Sequence, residues 1–168
     1  MFHKILVAID TSEIGKNVFD TALALAKATG ASLMLLHVLS AEEEGSPYMP
    51  IIFSSMGYAG GEKIIESYRE DWEAFEKQGL ELLRVRKDEA TLAGVSTEFI
   101  QRPGRPGRTV CNFAQTWGAD LIVIGRRGHS GLSDLFLGSV SNYVLHHAPC
   151  TVLTVQPSVK PATQSAVS

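Results

Sequence analysis

An α/β fold with a mainly parallel sheet covered on both faces follows from three features of the sequence. Short apolar runs recur at residues 3–9, 32–38, 95–100, 120–125 and 151–155. Four segments with apolar residues at helical spacing alternate with these five strands. The first run, His-Lys-Ile-Leu-Val-Ala-Ile, is nearly continuous in its apolar character, the habit of parallel strands buried on both sides. The 168 residues, 45% hydrophobic and 20% charged, suit one ordinary globular domain, which at this size buries roughly 70% of its unfolded surface. The domain is expected to span residues 1–156.

The first strand ends at Asp10-Thr11-Ser12. Thr11 or Ser12 can cap a helix that has Glu13 in its first turn, Val18, Ala22, Leu25 and Ala26 on its inner face, and Gly30 as its stop. Residues 32–38 form the second strand. Residues 39–61 then break the pattern with Gly45, Pro47, Pro50, Gly57, Gly60 and Gly61. Within them Glu42-Glu43-Glu44 reads as a solvated charge run. The apolar content of this long insertion, Tyr48 to Tyr58, favours a lid or a contact surface for a protein partner over disorder. From Glu62 to about Leu92 runs a helix whose stripe is Ile64, Ile65, Tyr68, Trp72, Phe75, Leu82 and Leu83, read as core or dimer packing, with an interruption or bend expected near Gly79. Val95–Ile100 alternates, as a strand at a sheet edge does. Gln101–Arg108 reads as an Arg-rich turn, either solvated or in contact with an anion.

Pro106 opens the next helix, with Val110, Phe113, Ala114 and Trp117 inward and Gly118 as its stop. Asp120–Gly125 is the fourth strand. A short helix from about Gly138 to His147 carries Val140, Tyr143, Val144 and Leu145 inward and stops at Pro149. Residues 151–155 are the fifth strand, and 157–168 read as a disordered tail.

The chemistry concentrates after the fourth strand. Gly125 and Gly128 are separated by two residues, Gly128 and Gly138 by nine, and hydroxyls follow at Ser139 and Ser141. Backbone N–H groups at such a turn and at a helix start can hold an anion. Taken alone, the spacing fits a phosphate cradle or a plain surface loop. In open α/β sheets ligands bind beyond the carboxyl ends of the strands, where strand order reverses. With the first strand central and the fourth beside it, Asp10 and Gly125 would meet at that crevice, flanked by Val38.

A net charge of −3 argues against sequence-independent binding to nucleic acid or to anionic membrane. No run of 18 apolar residues and no signal-peptide pattern are present, so a cytoplasmic location and no membrane partner are expected. Cys111 and Cys150, without a Cys-x-x-Cys, read as reduced and partly buried. His146-His147 face about 100° apart on a helix, which is poor for joint metal ligation, and no metal site is expected in the protein itself.

Val7-Ala8-Ile9-Asp10 before a helix, the Gly-x2-Gly-x9-Gly-Ser pattern at Gly125, Gly128, Gly138 and Ser139, and the terminal strand Pro149-Cys150-Thr151-Val152-Leu153-Thr154-Val155 together resemble the universal stress protein family, over about residues 2–156. The resemblance implies a Rossmann-like (adenine nucleotide alpha hydrolase-like) open sheet of strand order 3-2-1-4-5. It also implies a homodimer through the strand at 151–155 and, from the glycine pattern, the ATP-binding subclass. Carried over, Asp10 would accept from the ribose or adenine, with Thr11 close by, and the Val38 backbone would meet the adenine edge. Gly125, Arg126, Arg127, Gly128 and His129 would lie around ribose and phosphates, and Gly138, Ser139, Val140 and Ser141 would hold the phosphates. The expected ligand is ATP, ADP or AMP, with any Mg²⁺ held through the phosphates. The insertion at 39–61 is longer than a minimal member needs.

Catalysis has less support. No Gly-x4-Gly-Lys-Ser/Thr motif occurs, and no lysine lies between Lys87 and Lys160, so the usual lysine of phosphoryl transfer is missing. The reading is a homodimeric, nucleotide-dependent sensor in stress response with slow or no hydrolysis. The alternatives are a weak ATPase or phosphotransferase using His129 or an acid, and a nucleotide-free interaction module docking through 39–61.

Overall fold

Ile5, Leu6 and Val7 are all fully buried, although successive side chains of a strand point to opposite faces. This strand therefore has cover on both sides. The computed structural model, which describes residues 1–48, 61–126 and 138–156, has the order β1 (Lys4–Ala8), α1 (Glu13–Thr29), β2 (Ser32–Leu39), α2 (Gly61–Leu92), β3 (Thr97–Pro103), α3 (Pro106–Trp117), β4 (Leu121–Gly125), α4 (Ser139–His147) and β5 (Thr151–Val155). The strands form one sheet ordered β3-β2-β1-β4-β5, with every pairing parallel. This is the expected fold class and strand order.

Two cores sit on the two faces. Ile5, Val7, Leu33, Leu35 and Val123 pack with Val18, Phe19 and Ala22 of α1 and with Leu83 of α2. Leu6, Met34, Leu36 and Ile122 pack with Val110 and Ala114 of α3 and with Val144 of α4. Odd and even residues of one strand thus serve different cores, which is why the strands read as unbroken apolar runs. Ser12 caps α1, its side chain accepting from the Gly15 N–H, and α1 and α3 end at Gly30 and Gly118. Among the described residues no helix is long and apolar enough to cross a membrane.

The structure departs from expectation in several places, one of them Leu145 of α4, expected inward but exposed. Residues 101–103 belong to β3 and not to a turn: Gln101, Arg102 and Pro103 stand in register with His37, Val38 and Leu39. Proline is tolerated because β3 ends the sheet, where one side of the strand carries no ladder. Helix α2 runs without interruption through Gly79. A Cβ at position 79 would collide with Gln101 Nε2 and stand 2.6 Å from His37 Nδ1, so this glycine serves close approach of α2 to the sheet. The α2 stripe is only partly core. Phe75, Gly79, Leu83 and Ala90 are buried, whereas Ile64 and Ile65 are exposed. A helix of 32 residues is about 48 Å long at about 1.5 Å per residue, and the eight residues of β2 span about 26 Å at about 3.3 Å per residue. The first turns of α2 therefore outrun the sheet. A further departure, at Glu43, belongs to the functional site. Residues 49–60 of the insertion, the glycine loop from Arg127 to Leu137 and the tail at 157–168 lie outside the described residues.

Cys111 and Cys150 are both free thiols, one buried and one partly so. Burial pushes both thiols up from the ordinary cysteine range, and for Cys150 the nearby Asp120 and Cys111 add to the effect. Both should react slowly with a thiol-specific disulfide reagent at pH 7.5 in the folded protein and rapidly after denaturation, as read by absorbance. The packing at Gly79 supports a second expectation. Replacing glycine by alanine inside an ordinary helix gains about 1 kcal/mol of helix propensity, but overpacking costs about 1–3 kcal/mol. His37 and Gln101 are held by hydrogen bonds and cannot swing aside, so Gly79→Ala should lower stability in a urea titration by about 1 kcal/mol or more.

Candidate functional site

β1 lies between β2 and β4, so the chain leaves it toward opposite sides of the sheet and a crevice opens at its carboxyl end. The cleft found there has a volume of about 230 Å³. Asp10 and Val38 line it from the β1 and β2 side, Gly125 from the end of β4, and Gly138, Ser139, Val140 and Ser141 from the start of α4. Seven of the twelve residues singled out from the sequence therefore border one cavity. Thr11 stands beside it, bonded to a lining residue. Arg126 continues the sheet, its N–H donating to the Val155 carbonyl at 2.8 Å. Arg127, Gly128 and His129 lie outside the described residues.

The cleft has a chemical direction. Ile9, Val38, Val110 and Ile124 give it apolar walls, a slot suited to a flat aromatic group. At one end are Asp10, Glu42 and Glu43. At the other is the first turn of α4, capped by Gly138, which brings no side-chain hydrogen bond to the helix start. The opening N–H groups of a helix have no partners within it and carry the positive end of its dipole, so this end suits an anion.

Individual residues are more constrained than the sequence suggested. Asp10 Oδ1 accepts from the Ser12 N–H at 3.1 Å and from the Ser12 hydroxyl, which ties the carboxylate into the β1–α1 turn. Ser141 is buried and donates its hydroxyl hydrogen to the Gly138 carbonyl at 3.1 Å, so the hydroxyl left to donate at this helix start is that of exposed Ser139. At Gly125 a Cβ would stand 2.6 Å from Ile14 Cγ2 and 3.1 Å from Val18 Cγ2. The missing side chain lets α1 close onto the end of β4.

Glu43 corrects the reading of a solvated charge run. It is 7% exposed and lies in the cleft wall. Its Oε2 meets His37 Nε2 at 2.9 Å, and its Oε1 accepts from the Thr11 N–H at 3.1 Å and the Thr11 hydroxyl at 3.2 Å. A buried carboxylate is tolerable with this many donors. The donors come from β2 and from the β1–α1 turn, 32 residues away along the chain in the case of Thr11, so local sequence carried little sign of it. The one available signal was His37, a polar residue inside an apolar strand. The Arg-rich residues 102, 105 and 108 do not border the cleft, although Pro106 does. Among the described residues no group of three His, Cys, Asp or Glu side chains could hold a metal ion.

An open parallel sheet of this order, with an acidic turn and a helix start lining one cleft beyond its strand ends, defines a Rossmann-like class of α/β domain. The universal stress protein family model matches residues 1–156, and the chain belongs to that family. It is 36% identical over 157 residues to a universal stress protein of Synechocystis sp., covering 92% of this chain and 98% of the relative. It shares its fold with a universal stress protein solved in complex with cAMP (TM-score 0.64, 23% identity, 94% of this chain and 99% of that one). A universal stress protein family member from Arabidopsis thaliana solved with AMP bound is also similar (TM-score 0.58, 22% identity, 97% of each chain).

Ser141→Ala should reduce stability by about 1 kcal/mol, the worth of one buried hydrogen bond, seen as a lower thermal midpoint with the far-ultraviolet circular dichroism unchanged.

Proposed function

We propose that this protein is an ATP-binding, cytoplasmic universal stress protein that acts as a homodimeric sensor, reporting nucleotide occupancy to a partner in stress response. The observation that carries the reading is that one cleft is lined by an acidic turn, by apolar walls and by the first turn of α4. Adenine would lie in the slot against the Val38 backbone. Asp10 would accept from the ribose. The N–H groups of Ser139, Val140 and Ser141 and the Ser139 hydroxyl would face the phosphates, with Gly125, Arg126, Arg127, Gly128 and His129 alongside. The structural relatives solved with cAMP and with AMP support an adenine nucleotide as the ligand class. ATP is preferred over AMP on the glycine pattern that runs from Gly125 to Ser139. Any Mg²⁺ would be held through the phosphates.

Slow turnover at most is expected, because no lysine lies between Lys87 and Lys160, the stretch that holds the glycine pattern. β5 ends the sheet and its residues Val152, Leu153 and Val155 are partly exposed, which supports pairing of two copies along that strand. The insertion at 39–61 is the proposed docking surface for a protein partner.

Gly138 has φ −57° and ψ 156°, values open to any residue, so a valine there would keep the backbone and intrude on the phosphate end. Gly138→Val and Asp10→Ala should each weaken ATP binding by about tenfold or more, which is about 1.4 kcal/mol, in calorimetric titration. Equal affinity in wild type and both variants would sink the site. Chromatography of nucleotide released from the denatured, purified protein would identify the bound species directly.

A further inference from the structure

Behind the cleft wall runs a chain of polar contacts, buried at the His37–Glu43 link, that reaches from α2 to the β1–α1 turn. It starts at the Glu76 carbonyl, which accepts from Gln101 Nε2 at 3.2 Å. The same amide nitrogen lies 2.9 Å from His37 Nδ1. A carbonyl can only accept, so the amide group must present its nitrogen on this side, and that nitrogen donates to Nδ1. The ring hydrogen is therefore on Nε2, aimed at Glu43 Oε2 2.9 Å away. Glu43 Oε1 in turn takes both the N–H and the O–H of Thr11. His37 has no exposed surface, and Gly79 is the residue whose missing side chain leaves room for the His37–Gln101 contact. Neither His37 nor Gln101 borders the cleft, whereas Glu43 does.

We propose that Glu43 is a positioning residue of the nucleotide site, an inference that rests on the reading given above. Its carboxylate fastens the β1–α1 turn, and with it Asp10, to the carboxyl end of β2, where Val38 lines the same cleft. The spacing between Asp10 and Val38 sets how base and ribose are gripped. His37 orients the carboxylate and Gln101 orients His37. The amide introduced by Glu43→Gln cannot serve both sides. With its oxygen toward Thr11, its nitrogen meets the Nε2–H donor of His37. With its oxygen toward His37, its nitrogen meets the Thr11 backbone N–H, which can only donate.

The sign of one measurement separates positioning from charge. AMP is an anion, so a carboxylate acting only through its charge would repel it, and removing that charge would tighten binding. Glu44→Gln, which removes a charge from an exposed neighbouring side chain that does not border the cleft, should not weaken AMP binding in calorimetric titration. Glu43→Gln should weaken it about tenfold. The loss should largely disappear when Glu43→Gln is added to Asp10→Ala, because both act through the same turn. Gln101→Met, at the far end of the chain of contacts, should weaken AMP binding about threefold, and it decides the matter if Glu43→Gln does not fold. Wild type that binds neither AMP nor ATP would overturn the nucleotide reading and this proposal with it. If wild type binds only ATP, the same variants are titrated with ATP. Wild type that binds either nucleotide would overturn the positioning role alone under any of three results: Glu43→Gln binding as tightly or more tightly, losses fully additive with Asp10→Ala, or unchanged affinity in Gln101→Met when Glu43→Gln does not fold.

Discussion

The parallel pairing of β1 with β2 on one side and β4 on the other is the constraint on which the rest depends. Ala8 stands in register with Leu36 across one interface and with Ile124 across the other. Right-handed crossovers then send α1 and α2 to one face and α3 and α4 to the other. The loops leaving β1 and β4 diverge at their carboxyl ends, and no helix can fill the gap between them. The polar residues of the site gather there for the same reason: Asp10 follows β1, Glu43 follows β2 and Gly125 closes β4. Strand ends are where backbone groups run out of ladder partners and turns bring charged side chains inward.

Such a cleft concentrates opposite tendencies in a small volume. Carboxylates at one end must be supplied with donors, and the helix start at the other must be supplied with an acceptor. The protein meets the first need from its own atoms, through Ser12 for Asp10 and through Thr11 and His37 for Glu43. Gly138, having no side chain, leaves the second need unmet by the cap residue itself. The asymmetry gives the cleft its chemical sense: the carboxylates have side-chain and backbone donors, and the helix start has no side-chain acceptor from its cap.

The layout of the fold was legible because it is written in local patterns. Unbroken apolar runs announce strands with two covered faces, and Ser12, Gly30, Pro106 and Gly118 mark helix ends in the expected places. The border of the site was legible for a related reason, since Asp10, Val38, Gly125 and Gly138 all sit at strand or helix ends. What escaped was set by distant partners. Pro103 looks like a strand breaker until β3 is known to end the sheet. Glu43 looks solvated between two other glutamates until Thr11 and His37 are brought to it. Gly79 looks like a weak point in a helix until the atoms that a side chain there would strike are known. In each case the residue type was noticed and its physical reason lay across the sheet.

The aromatic side chains of α2 have an optical consequence. Tyr68, Trp72 and Phe75 meet edge to face in succession, with ring centroids 6.2 and 5.7 Å apart, and Phe75 meets the His37 imidazole at 6.4 Å. The Trp72 indole therefore stands one ring away from the buried histidine that steadies the cleft wall. Of the two tryptophans in the chain, the other, Trp117, lies under the Lys4 ammonium, a different electrostatic setting. The molecule thus carries its own fluorophore beside the internal wiring of its pocket, and the colour and lifetime of Trp72 emission can register rearrangement there without any attached dye.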